Sequence, residues 1–366
     1  MISEQTLPLF AAPIGFILCA IGTAIVRRWS LRHEFVDRPG GHKGHRDPVA
    51  LGGGIAVTAA VVAPISFGVL VAWWCATSPP AWIPQAALPH LSGIVAKIPV
   101  ALGICAAATA MCILGVIDDK RPLGAGLKFV VQFAIAAFLV IACNLRLLSH
   151  LDATLSIGLS ILWIVTLTNS MNFLDNMDGL SSGVAAIAAA VFAVSSMLSG
   201  QIFVPTCCWL LVGALAGFLP FNFHPAKIYM GDAGSTVIGL LLAVFTILTT
   251  FVDPNQNQRP VGVFSPLVVM AVPLYDTASV FYLRWRIGVP LWRGDRRHFS
   301  HRLVRRGMSV PKAVLAIWLA TLVTAMPALL LPKADWLESW IIFMHTLLVV
   351  ALVALLESSG PHDEKT

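Results

Sequence analysis

Long apolar stretches alternate with short polar segments along most of this 366-residue chain. A membrane-spanning helix needs about 20 mostly apolar residues. Eleven segments qualify or nearly qualify, at about 9–27, 51–74, 98–117, 127–144, 151–168, 183–199, 206–220, 235–251, 263–283, 313–331 and 338–356. The pattern predicts an all-α polytopic membrane helix bundle of about 11 transmembrane helices. It predicts one integral membrane domain over residues 1–366, with no soluble domain and no internal repeat. The first segment has no small-residue cleavage site and runs into a basic stretch, so it reads as a retained span rather than a signal peptide.

Composition agrees. The chain is 57% hydrophobic and 11% charged, with a mean hydropathy of +0.82. Soluble domains carry about 25% charged residues, so a globular surface is excluded. Basic residues set the orientation. With the N-terminus outside and the C-terminus cytoplasmic, 20 of the 24 Lys and Arg fall inside, and only Lys97, Arg146, Arg259 and Lys333 fall outside. The net charge of +6 then belongs to a cytoplasmic face near anionic lipid, not to a nucleic-acid site. The seven cysteines lie in or at the ends of spans, without metal or disulfide spacing.

Five inside segments carry residues fit for chemistry: 35–54, 115–132, 169–183, 220–236 and 284–309. Asp118 and Asp119 end a span against the unfavourable end of a helix dipole. They read as a base or an ion-bound pair, or as a charge cluster neutralised by Lys120 and Arg121. Lys128 opens the next span and either snorkels to headgroups or faces an anionic substrate. In "NSMNFLDNMDGLSSG" (169–183), Asn172, Asp175 and Asp178 stand three apart and share one helical face. Asn and Asp oxygens suit Mg²⁺ or Mn²⁺ rather than zinc; Asp178 or Ser181 as a simple cap explains one of these residues, not five. In "YMGDAGST", Asp232 starts a span between glycines. A helix N-terminus there binds phosphate, and Asp232 would hold a metal bridging to it. Tyr229 offers a ring for a base, or is an interfacial Tyr. "DRRHFSHRLVRR" sets His298 and His301 among Arg296, Arg297 and Arg302, which suit phosphate. The first loop adds Asp37, Lys43, His45 and three glycines, a weak signal alone. Asp276, inside a span, needs a partner, and an arginine of the next loop is the expected one.

Metal-binding oxygens, a glycine-bordered helix start and an Arg/His loop on one membrane face imply phosphoryl transfer between a nucleotide-bound donor and a lipid phosphate. "VIDDK", "NSMNFLDNMDGLSSG", "FNFHPAKIYMGDAGS" and "DRRHFSHRL", in this order, resemble the polyprenyl-phosphate N-acetylhexosamine-1-phosphate transferase family. The resemblance runs from about residue 35 to 310 and includes the eleven-span layout. It implies transfer of a sugar-1-phosphate, most often N-acetylglucosamine-1-phosphate, from a UDP-sugar to undecaprenyl phosphate with release of UMP. The site would lie on the cytoplasmic face of the bacterial inner membrane, at the first membrane step of an envelope polysaccharide. It further implies Asn172 and Asp232 as Mg²⁺ ligands and Asp118 and Asp119 at the lipid phosphate, with Lys128 facing phosphate. Asp175, Asp178, Asn222 and Tyr229 would surround the uridine, and His298, His301 and Arg302 would meet the sugar and diphosphate. Lys43 and His45 are taken as substrate-binding. Homodimers are implied as well. The peptidoglycan branch, which transfers phospho-N-acetylmuramoyl-pentapeptide, usually shows T-P-T-M-G-G where this chain has "RDPVALGGG". A transporter or flippase would carry its polar groups near the bilayer midplane. One departure stands out: the family commonly reads D-G-x-D-G where this chain has "DNMDG", with Asn176 at the first glycine.

Overall fold

The computed structural model describes residues 4–38, 48–78, 93, 95–249, 260–290 and 297–358. Lys43, His45 and Arg296 lie outside the described residues. The chain is an all-α polytopic membrane protein: among the described residues nine helices are long and apolar enough to cross a bilayer. We label the helices α1 (Ala11–Arg32), α2 (Gly53–Thr77), α3 (Ile98–Lys120), α4 (Ala125–Ala137) and α5 (Ala153–Leu174). Then come α6 (Leu180–Leu198), α7 (Phe203–Asn222), α8 (Asp232–Leu248), α9 (Ser265–Val269) and α10 (Ala271–Arg286). The last three are α11 (Phe299–Arg305), α12 (Val310–Ala325) and α13 (Trp336–Ser358).

Two of the eleven expected segments differ from single long helices. The 263–283 stretch is a pair, α9 and α10, bent by 65°. Pro273 has no N–H for the carbonyl four residues back, so the ladder breaks there. The 235–251 stretch is α8, which is only 17 residues long. Its side chains from Ala233 to Thr246 are all buried, and α2, α3, α5 and α6 pack around it. A helix apolar on every side is a core helix. Small residues let the backbones close on it: a Cβ on Gly54 of α2 would collide with the backbone of Gly234. The outer helices point the opposite way, and Trp336, Leu337, Trp340, Leu347 and Leu348 of α13 are exposed, as expected of a face turned to lipid tails.

The neighbours of α8 bring the polar segments to one end of the bundle. There the C-terminal ends of α1, α3, α5 and α7 meet the N-terminal ends of α2, α4, α6 and α8. A two-residue ribbon that the sequence pattern does not signal, β1 (Val36–Asp37) against β2 (Val49–Ala50), closes the first loop. The Ala50 carbonyl accepts from the Tyr229 N–H at 2.8 Å, and Gly53 donates its N–H to the Tyr229 carbonyl at 2.9 Å. The glycines at 52–54 therefore serve backbone packing against the segment that leads into α8.

Candidate active site

The start of α8 organises the site. Its first two backbone N–H groups, on Asp232 and Ala233, donate to the two carboxylate oxygens of Asp119 at 2.9 and 3.2 Å. The next two, on Gly234 and Ser235, donate to the Gly231 carbonyl. This corrects one expectation: the helix start does not offer these four amides to a phosphate, because protein acceptors already hold them. It also explains how Asp119 is tolerated at the end of α3. The positive end of α8 lies against it and offsets the negative end of its own helix. Gly231, at φ +71°, is needed here, since a Cβ would collide with the Asp119 carboxylate.

Asp118, one residue earlier, points elsewhere. One of its oxygens accepts from the Leu123 N–H at 2.7 Å, and the other from Lys128 Nζ at 2.8 Å. The same ammonium pairs with Asp232. Lys128 is thus turned inward to the carboxylates rather than outward to headgroups. Two carboxylates, Asp118 and Asp232, share this one ammonium, so the trio carries surplus negative charge. Asn172, at the end of α5, donates its Nδ2 to Ser235 Oγ at 3.1 Å, which sets its amide one helical turn from Asp232. Among the described residues no three His, Cys, Asp or Glu side chains are arranged to hold a metal alone. An Asn oxygen and an Asp carboxylate are nevertheless hard donors of the kind Mg²⁺ takes when substrate phosphates complete its shell.

The turn between α5 and α6 forms the second side. Ser181 donates its hydroxyl to Asp175 at 2.6 Å. Burial pushes Asp175 up to about 7 despite that bond, and the Asp232, Asp119 and Asp178 carboxylates push the same way. Asp178 pairs with His224 Nδ1 at 2.8 Å and accepts the Ala226 N–H at 3.1 Å. Tyr229 stands close by. Burial raises its phenol to about 12, and the Asp178 and Asp37 charges add to this. Asn222 is a brace. Its amide is 3% exposed, accepts from the Gly179 N–H and Ser182 Oγ, and donates to the Ile228 carbonyl. It fixes the turn that carries Asp178 from behind.

The segment before and within α11 closes the third side. His298 is buried, with Nδ1 2.7 Å from Asp276; the other Asp276 oxygen accepts the Phe299 N–H at 3.1 Å. The partner the structure gives Asp276 is therefore this histidine, in place of the expected arginine. His298 and the backbone amide beside it match both oxygens of a fully buried carboxylate. The His298 ring lies 6.1 Å from that of Phe173, next to Asn172 in sequence. His301 sits one turn on, half-buried and engaged with neighbours. Arg302 turns away from this cluster: its Nη2 is 3.0 Å from Glu357 of α13 and donates to Ser279 Oγ at 2.8 Å.

All five polar segments thus touch. The first meets the fourth at Tyr229, the second meets the fourth at Asp232, and the third meets the fourth at Ser235 and Ala226. The third meets the fifth through Asn176, which accepts from Ser300 Oγ at 2.5 Å.

Residues 101–250, which carry the first two sides of this site, match the model of glycosyl transferase family 4. The chain is also similar to named transferases over most of its length. Its relatives include a probable undecaprenyl-phosphate N-acetylglucosaminyl 1-phosphate transferase of Bacillus subtilis, 29% identical across 100% of this chain and 96% of the relative. An undecaprenyl-phosphate alpha-N-acetylglucosaminyl 1-phosphate transferase of Escherichia coli is 24% identical over 92% of this chain and 87% of its own length. A decaprenyl-phosphate N-acetylglucosaminephosphotransferase of Mycolicibacterium smegmatis is 37% identical over 56% and 57%.

The family 4 stretch contains Asp118, Asp119, Lys128, Asn172, Asp175, Asp178, Asn222, Tyr229 and Asp232. His298, His301 and Arg302 lie beyond it and reach the site through α10 and α11. Sequence reasoning missed several supports. Ser235 and Ser181 orient Asn172 and Asp175, and His224 pairs with Asp178. Gln132, 1% exposed, accepts from Asn169 at 2.7 Å. Arg284 is buried with its guanidinium 5.6 Å from the Phe173 ring centre. A signal for Gln132 does exist, since it is a polar residue inside an apolar stretch.

Proposed function

We propose that this protein transfers N-acetylglucosamine-1-phosphate from a UDP-sugar to undecaprenyl phosphate and releases UMP, as the first membrane step of a cell-envelope polysaccharide. The carrying observation is the joining of Lys128 to both Asp118 and Asp232 beside Asp119 at the start of α8. The names of the relatives supply the substrate class. On this reading the site end faces the cytoplasm and the N-terminus lies outside, with eleven spans counted by taking α8 and the bent pair as one span each. The lopsided distribution of Lys and Arg supports that orientation. The gathering of polar groups at one end, rather than at mid-depth, favours a transferase over a transporter.

In the reaction a phosphate oxygen of the lipid attacks the β-phosphorus of the donor, and the bond from that phosphorus to the UMP oxygen breaks. A phosphate monoester has its second pKa at about 6, so the nucleophile is already largely ionised. Asp118 and Lys128 then act by placement: the ammonium attracts phosphate oxygens, and the carboxylate holds the ammonium in place. Asp119 fixes Asp232 through the backbone of α8. Asp232 and the Asn172 amide oxygen would hold Mg²⁺, which neutralises diphosphate charge when bound. Asp178 and Tyr229 flank the nucleoside, and the His298 segment closes over the sugar side. Most of the catalytic effect is positioning and charge stabilisation.

The test is UMP release by purified protein with Mg²⁺, undecaprenyl phosphate and a panel of UDP-sugars, with D232N alongside. UMP from UDP-N-acetylglucosamine, dependent on the lipid and lost in D232N, is expected. Signal only with UDP-N-acetylmuramoyl-pentapeptide would move the chain to the peptidoglycan branch. No UMP from any donor by a folded protein would overturn the transferase reading.

A further inference from the structure

Residues 298, 299 and 300 are consecutive, and each is held by a different kind of bond. His298 and the Phe299 N–H go to Asp276, on α10 of the same half of the chain. Ser300 reaches across by a hydrogen bond to the turn between α5 and α6. Its hydroxyl, fully buried, donates to Asn176 Oδ1 at 2.5 Å. Asn176 is itself locked, since its Nδ2 donates to the Phe173 carbonyl at 2.6 Å. An amide that accepts with one end and donates with the other has its orientation fixed by both partners. The ring of Phe173 in turn lies near His298 and under Arg284. Asn176 sits between Asp175 and Asp178, on the donor-facing turn. A glycine at this position has no side chain to reach Ser300, and would leave its buried hydroxyl without this acceptor.

We infer that the Asn176–Ser300 hydrogen bond is a positioning latch that holds the His298 segment in register with the donor-binding turn. Neither residue touches the reacting atoms; both act by fixing the distance between Asp175–Asp178 and His298–His301. The inference rests on the transferase reading above. Because the latch joins two walls of the donor side, its loss weakens donor binding and leaves the lipid side, around Asp118 and Lys128, unchanged. A bond that only contributed to stability would instead lower the amount of active protein and leave both KM values alone.

The experiment is steady-state UMP release by the purified full-length protein with Mg²⁺, UDP-N-acetylglucosamine and undecaprenyl phosphate. It compares wild type with N176A, S300A, the double variant and S300T, with melting temperatures measured in parallel. N176A and S300A are each expected to raise the donor KM about tenfold, the order of one lost buried hydrogen bond, with the lipid KM within about twofold of wild type. The double variant should be no worse than either single one, as for two partners of one interaction. S300T, which keeps the hydroxyl, should restore the donor KM. Unchanged donor KM in both single variants, or multiplied effects in the double one, overturns the latch while wild-type activity upholds the transferase. An inert wild type with every donor removes the transferase reading and the latch with it. If N176A does not yield folded protein, S300A against S300T decides the same question.

Discussion

Asp119, the last acid of α3, caps α8 from across the bundle by taking the backbone N–H groups of Asp232 and Ala233 on its two oxygens. The helix that carries Asp232 is therefore seated by its neighbour's carboxylate. D119A leaves two part-buried amides without acceptors, a cost of about 1–3 kcal/mol for each unpaired group. It should lower the melting temperature in detergent by several degrees and abolish UMP release. D119N retains an acceptor oxygen for one amide only and should fall between wild type and D119A. A D119A protein that melts like wild type would show that the cap contributes nothing to the fold.

Lys128 bridges Asp118 and Asp232. K128M removes the ammonium and leaves the Asp118 and Asp232 carboxylates without their shared counter-charge. UMP release should fall by about 10²-fold or more, the scale of losing one preorganised charge at a phosphoryl site. Stabilisation of the fold by added Mg²⁺, read from melting temperatures with and without EDTA, should persist or grow, because the cluster becomes more negative. In D232N it should vanish. Loss of the Mg²⁺ response in K128M, with retention in D232N, would place the cation elsewhere.

Much of this site is legible in the sequence, and the reason is solvent. In an apolar chain every polar residue is conspicuous, so Asp118, Asp119, Asn172, Asp175, Asp178 and Asp232 stand out by residue type and position alone. Helical spans are legible for the same reason. What the sequence does not carry is the pairing between segments. Nothing near Asp119 signals that its oxygens meet amides 113 and 114 positions further along the chain. Nor does Asn176 signal Ser300, 124 positions away. The α8 start looks like a phosphate cradle because local sequence shows free amides, and only tertiary packing shows which acceptors take them. The bend at Pro273 and the burial of α8 likewise depend on neighbours rather than on periodicity.

Asp175 makes stability depend on pH. Its carboxyl is pushed up to about 7 in the fold, against about 3.9 in an unfolded chain. The folded state therefore holds this proton over a range in which the unfolded state has released it, and stability falls as pH rises from about 4 to about 7. Below that window the group is protonated in both states, and above it the group is ionised in both. D175N keeps an acceptor for Ser181 without the charge. Its melting temperature relative to wild type should therefore rise between pH 5 and pH 8 in Mg²⁺-free buffer. A constant offset across that range would mean that Asp175 titrates normally.

The family resemblance places Arg302 at the diphosphate, but its guanidinium reaches Glu357 near the end of α13. Glu357 in turn accepts from the Tyr275 hydroxyl at 2.6 Å, so the last helix is tied to both α10 and α11. Both charged side chains are largely buried, at 15% and 7% exposure. Breaking one partner of a buried pair costs about 3–5 kcal/mol, because the other charge is left uncompensated. E357Q keeps an acceptor for Tyr275 but strands the Arg302 charge, and should destabilise the protein by an amount near the lower end of that range. R302M should destabilise similarly, and the double variant should be more stable than the sum of the two losses predicts. The KM for the UDP-sugar should stay near wild type in E357Q. A large rise in donor KM in R302M, with stability unchanged, would instead return Arg302 to the substrate.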